Sequence, residues 1–176
     1  MSSSKLLFQT IFMFQKWLNL LYVFLDLSTN FCGFSFTNLT IMESGTCKSF
    51  TYRRMRYNIT ARSSITTVAF AFQQAVGYWD IDNITLSTFN SSQNLFRNGD
   101  FEIGTLSSDY SQCQSTGFIS NTSQLGGQYC YSDNTTGHFG YLMQNVSTSA
   151  GSSYALSFYL QNRNGANSRF VVLVGD

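Results

Sequence analysis

Beyond residue 28 the chain breaks into short runs in which apolar and polar side chains alternate, each bounded by Gly, Asn or Ser. A period of two puts the apolar members on one face of a strand. In residues 54–59, Met55, Tyr57 and Ile59 alternate with Arg54, Arg56 and Asn58. Val68, Phe70 and Phe72 then share one face, and Thr67, Ala69 and Ala71 the other. Residues 73–77 read as a turn and 78–86 as a further strand, with Ile84 and Leu86 in the core. After a polar linker at 90–93, residues 95–102 read as a short strand containing Asn98-Gly99, and 104–128 as a loop. Strands are predicted at 129–132, 141–146, 153–161 and 169–174, with turns at Gly151-Ser152 and Asn164-Gly165. In the third of these, Tyr154, Leu156, Phe158 and Leu160 oppose Ala155, Ser157, Tyr159 and Gln161; Tyr131 and Phe139 are also assigned to the core. No helix is predicted after residue 28. The fold class is all-β, a sandwich.

The first 28 residues follow another pattern. Two apolar runs, 6–14 and 17–25, flank Gln15 and Lys16. Either has the length of a signal-peptide core. Joined as one helix they approach the span of a bilayer, with Lys16 at mid-membrane at a cost of roughly 3 kcal/mol. No small-x-small cleavage site follows. Residues 1–28 are expected to be a signal- or anchor-like segment or else the ill-defined start of a longer protein, and any membrane contact is confined to 6–25 in an uncleaved chain.

Composition narrows the function. Only 11% of the 176 residues are charged, against about 25% in a typical domain. The net charge of +1 argues against nucleic acid as a partner. The single imidazole, His138, excludes His-rich metal sites and leaves acid–base catalysis few agents. Four cysteines (Cys32, Cys47, Cys113, Cys130) without a CxxC pair suit two disulfides or four buried thiols. Asn-x-Ser/Thr acceptor sequences occur at Asn38, Asn58, Asn83, Asn90, Asn121, Asn134 and Asn145. Together these features predict a secreted or cell-surface glycoprotein. Lys48, Arg53, Arg54, Arg56 and Arg62 gather half of the positive charge; a phosphate- or heparin-binding face is one reading, and their alternation with Met55 and Tyr57 favours instead the solvated side of a guarded edge strand. Of nine acidic residues, Asp80, Asp82, Asp100 and Glu102 lie in two short stretches, a concentration that fits either Ca²⁺ ligation or the capping of turns.

Those two stretches carry a resemblance. The run Asn98-Gly99-Asp100-Phe101-Glu102-x-Gly104 resembles the opening strand of galactose-binding-like jelly-roll domains, among them the carbohydrate-binding modules that accompany xylanases and glucanases. Tyr78-Trp79-Asp80-Ile81-Asp82-Asn83-Ile84 resembles the closing strand of the same fold. Tyr141-Leu142-x-Gln144, Tyr154-x-Leu156-Ser157-Phe158-Tyr159-Leu160 and Phe170-x-Val172-Leu173-Val174 are similar to its middle strands. The order is inverted, because the closing motif precedes the opening one. Residues 45–89 thus look like the end of one repeat and 95–176 like the first two-thirds of the next, a tandem array cut at both ends. The expected architecture is one jelly-roll sandwich over 45–176, with 45–89 folded back into 95–176 as a circular permutant.

The resemblance implies a structural Ca²⁺ between opening and closing strands, with Glu102 and Asp82 as side-chain ligands, Asp100 as a further one and carbonyls near Asn98 completing the shell. It also implies oligosaccharide bound on a sheet face by Tyr159, Gln161, Tyr141, Gln144 and Arg169. Cys113 and Cys130 flank the long loop and are one pairing among three connectivities. The implied protein is a non-catalytic carbohydrate-binding module; the rival reading is a structural or adhesive repeat without a sugar site. An enzyme is not expected, since Asp109 and Asp133 lie in loops and no carboxyl pair across a cleft is evident.

Overall fold

The computed structural model describes residues 49–122, 125–163 and 167–175, together with Cys32 and residues 40–41. The signal- or anchor-like segment, Asn38, Cys47, Lys48 and the Asn164-Gly165 turn lie outside the described residues. The chain divides into two compact units, Met1–Ser35 and Phe36–Asp176. In the first, Cys32 is half-buried and disulfide-bonded. No helix among the described residues is long and apolar enough to cross a membrane.

The second unit is all-β. Its strands are β1 (Thr40–Ile41), β2 (Phe50–Thr60), β3 (Ile65–Gln73), β4 (Tyr78–Thr88), β5 (Ser111–Cys113), β6 (Phe118–Ser120), β7 (Cys130–Asp133), β8 (Gly140–Ser147), β9 (Ser153–Arg163) and β10 (Arg169–Gly175). One 3-10 turn, Ser107–Asp109, interrupts them. Two antiparallel sheets result, ordered β1-β10-β3-β8-β5 and β2-β9-β4-β7-β6. Strands from 50–88 and from 111–175 alternate within both sheets, so the two halves of the chain build one core. β10 and β8 flank β3, while β2 and β4 flank β9.

Alternation decides what each strand buries. Val68, Phe70, Phe72, Leu142, Phe170 and Val172 of the first sheet meet Trp79, Ile81, Leu86, Tyr131, Leu156 and Phe158 of the second. The rings interlock across the gap: Phe70 stands edge-on to Phe158 at 5.2 Å, and Trp79 meets Phe170 at 5.5 Å. Trp79 still satisfies its indole, donating Nε1 to the Gln73 carbonyl at 3.2 Å. The opposite face of the first sheet is apolar and buried as well, with Ala69, Ala71, Met143, Val171 and Leu173 all closed off.

One predicted strand is absent. Residues 95–102 form successive turns, because Asn98 and Phe101 take positive φ (48° and 59°) that a strand cannot accommodate. Asn98 stabilises this path, donating its amide to the Thr105 carbonyl and accepting the Ile103 amide. The segment is tied to β4 instead: Ile84 donates its N–H to the Gly99 carbonyl at 2.8 Å, and Asn94 donates to the Ile84 carbonyl at 3.0 Å. A Cβ on Gly99 would run into that Ile84 carbonyl, which is backbone and cannot swing aside. Gly99→Ala is therefore expected to cost about 1–3 kcal/mol, the range for overpacking, read as a lowered denaturation midpoint. The close approach explains why the Asn-Gly pair stands here.

Candidate functional site

The outer face of the second sheet is polar where its inner face is oily. On β9 the outward residues are Ala155, Ser157, Tyr159, Gln161 and Arg163. Strand register sets their neighbours. Tyr159 lies between Arg54 of β2 and Asp82 of β4; Ser157 lies between Arg56 and Thr85; Ala155 lies between Asn58 and Ser87. Gln161 pairs with Asp80, Asp80 with Ser132 of β7, and Ser132 with Phe118 of β6. A register shift between Asp82 and Thr85, with Asn83 at φ 51°, returns Thr85 to the outer face.

Charge on this face is organised around Asp80, which is only 2% exposed. Arg163 grips it with both arms, Nε to Oδ2 at 2.6 Å and Nη2 to Oδ1 at 3.0 Å, and Ser132 donates to Oδ1 at 2.5 Å. Burial nevertheless holds the Asp80 carboxyl above its ordinary range, with Ser132 and Arg163 pulling the other way. The Arg163 guanidinium also lies over the Tyr78 ring at 4.9 Å. Tyr159 is half-buried, and the Arg54 guanidinium sits 5.9 Å from its ring centre while donating to Ser157 Oγ at 3.3 Å. Asp80 and Asp82 project from the same face about 6.6 Å apart along β4. Both Asp80 oxygens are already engaged, by Arg163 and Ser132.

Of the expected sugar contacts, Tyr159 and Gln161 stand on this face. Tyr141, Gln144 and Arg169 belong to the first sheet, a correction to their placement beside β9. Gln144 points inward at 2% exposure and mimics a peptide group, accepting the Arg97 N–H at 2.8 Å and donating to the Arg97 carbonyl at 3.0 Å. It anchors the turn segment and is closed off from solvent. Tyr141 is buried against Phe139, and Arg169 covers that same Phe139 ring at 5.0 Å. Nothing in the sequence pattern marks Arg163, whose role emerges only when β9 is extended past Gln161 and paired with β4.

The expected Ca²⁺ ligands are engaged by nearby backbone amides. Glu102 accepts the Gln128 N–H at 2.9 Å and the Tyr129 N–H at 3.0 Å, so its oxygens face amide hydrogens. A side chain at Gly127 would strike the same carboxylate. Asn98 Oδ1 accepts the Ile103 amide at 3.3 Å, Asp100 Oδ1 accepts the Glu102 amide at 3.4 Å, and Asp82 accepts the Asn83 amide at 2.7 Å. Among the described residues no three His, Cys, Asp or Glu side chains converge. These acids order loops.

The cysteines also differ from one expected pairing. Cys113 is disulfide-bonded, as is Cys32, whereas Cys130 is a free, buried thiol. Cys113 ends a strand of the first sheet and Cys130 begins one of the second. Burial raises the Cys130 thiol, with Asp80 and Asp82 adding to the rise. Iodoacetamide at about pH 8 is expected to leave Cys130 unmodified in the native chain and to label it after denaturation, scored by peptide mapping. The disulfide is compatible with an extracellular setting. Five of the acceptor asparagines, Asn58, Asn83, Asn90, Asn121 and Asn145, are exposed. Compared with protein-family models, with curated proteins and with solved structures, the chain finds no match.

Proposed function

We propose that this chain is a non-catalytic carbohydrate-binding domain of a secreted or surface protein, built on a permuted galactose-binding-like jelly roll. The observation that carries the reading is the outer face of the second sheet. There a half-buried Tyr159 shares one sheet face with Gln161, Ser157, Thr85, Asn58 and two arginines. An accessible aromatic ring supplies a flat apolar platform for a sugar face, and the surrounding amides, hydroxyls and guanidinium groups match ring hydroxyls as donors and acceptors. The locked state of Asp80 supports a binding role over catalysis.

A glycan array with the full chain tests this. Binding is expected, and Tyr159→Ala is expected to remove it while the melting midpoint stays within the small range of a surface change, about 0.5 kcal/mol. A blank array on folded protein would favour the structural or adhesive repeat instead.

A further inference from the structure

Arg54 and Arg56 are the exposed cationic residues of β2 that project onto the proposed sugar face, in register with Tyr159 and Ser157. Their spacing along the strand is about 6.6 Å, close enough for both to reach one anionic group or two on adjacent sugars. The ion pairs among the described residues join Arg97 to Asp109 and Arg163 to Asp80, so neither of these arginines is neutralised by an acid. The face is therefore polarised. Its β4 side carries the buried Asp80 and Asp82, and its β2 side presents two solvent-facing guanidiniums beside the aromatic platform. Arg54 is already oriented, by the Tyr159 ring and by its hydrogen bond to Ser157. An arginine held this way loses less freedom on binding a planar or tetrahedral anion.

We propose that this face selects acidic oligosaccharides, with a pyranose stacked on Tyr159 and its carboxylate or sulfate group held by Arg54 and Arg56. The assignment rests on the carbohydrate-binding reading and specifies the class of sugar. In a chain with so little charge, two exposed arginines with no ion-pair partner among the described residues stand beside the aromatic platform, and charge complementarity points to an anionic occupant.

Titration calorimetry of the full chain with three oligosaccharides of equal length decides the matter: a neutral xylo-oligosaccharide, an oligogalacturonate and a heparin-derived fragment. The expected result is binding of at least one acidic probe in clear preference to the neutral one. The uronate and sulfate arms identify which anion is preferred. Binding should weaken as salt rises from about 0.05 M to about 0.5 M, where screening shortens from more than 10 Å to a few Å. Arg54→Gln and Arg56→Gln should each lower affinity about tenfold, the loss of a charge-assisted hydrogen bond, with the melting midpoint unchanged. Tyr159→Ala should abolish binding. Equal affinity for neutral and acidic probes, or insensitivity to both arginine substitutions, overturns this proposal and leaves the carbohydrate reading standing. Acidic binding that survives Tyr159→Ala overturns it as diffuse polyelectrolyte attraction. If none of the three probes binds and the array is blank, both readings fall.

Discussion

Arg163→Met is expected to destabilise the fold by about 3–5 kcal/mol, the usual cost of leaving a buried charge without its partner. Asp80 is 2% exposed, and both of its oxygens depend on Arg163, so the substitution strands a carboxylate that only Ser132 still contacts. The pH dependence should change with it. In the intact protein burial holds Asp80 above the ordinary aspartate value of about 3.9. The folded chain then binds this proton more tightly than the unfolded one. The group's favourable contribution is fully present below the unfolded value and is lost as pH rises through the raised folded value. Without Arg163 the folded value should climb further, so the loss extends to higher pH and stability recovers more strongly in acid. Urea titrations across acid and neutral pH measure this directly. An Asp80→Asn/Arg163→Met double variant should be more stable than Arg163→Met alone, because no charge remains to be buried. A single variant as stable as the parent at neutral pH would show that the pair is not what holds Asp80 in place.

Phe158→Ala is expected to cost about 3–5 kcal/mol as well, through a cavity at the centre of the sandwich. The ring is fully buried and touches both sheets, with Phe70 at 5.2 Å, Phe170 at 5.8 Å and Tyr57 at 6.0 Å. Three aromatic neighbours on separate strands cannot all close inward over the space it leaves. Thermal melting should fall by roughly 6–20 °C. Phe158→Leu, which fills much of the volume, should recover most of that loss. Equal melting points for the two variants would mean that the site collapses freely and that packing there is loose.

The strands that alternate cleanly were legible because burial follows a period of two wherever one face meets the core. Met55, Tyr57 and Ile59 on β2, and Tyr154, Leu156, Phe158 and Leu160 on β9, are turned inward as that period requires. Residues 95–102 have a similar look, yet two positive φ angles and the Asn98 side chain convert them into turns. A short apolar spacing does not separate these outcomes. For the candidate site, Tyr159 and Gln161 were legible from the β9 pattern. Tyr141, Gln144 and Arg169 were not, because assigning them to a face requires knowing in which sheet β8 and β10 lie. Gln144 is the sharpest case. A polar side chain in an exposed-looking strand turned inward because Arg97, 47 residues earlier, presents a peptide group for it to satisfy.

From its own sequence this protein determined an all-β class, the inward set of each long strand and the concentration of carboxylates in two motifs, since those properties depend on neighbours two to six residues away. Which strands pair, that Glu102 clasps a loop, that Cys130 stays a thiol and that Arg54 and Arg56 share a face with Tyr159 were decided only by tertiary structure. Each depends on segments up to about a hundred residues apart being brought within a few ångströms, and hydrophobic burial drives that approach without recording the partners in any local pattern.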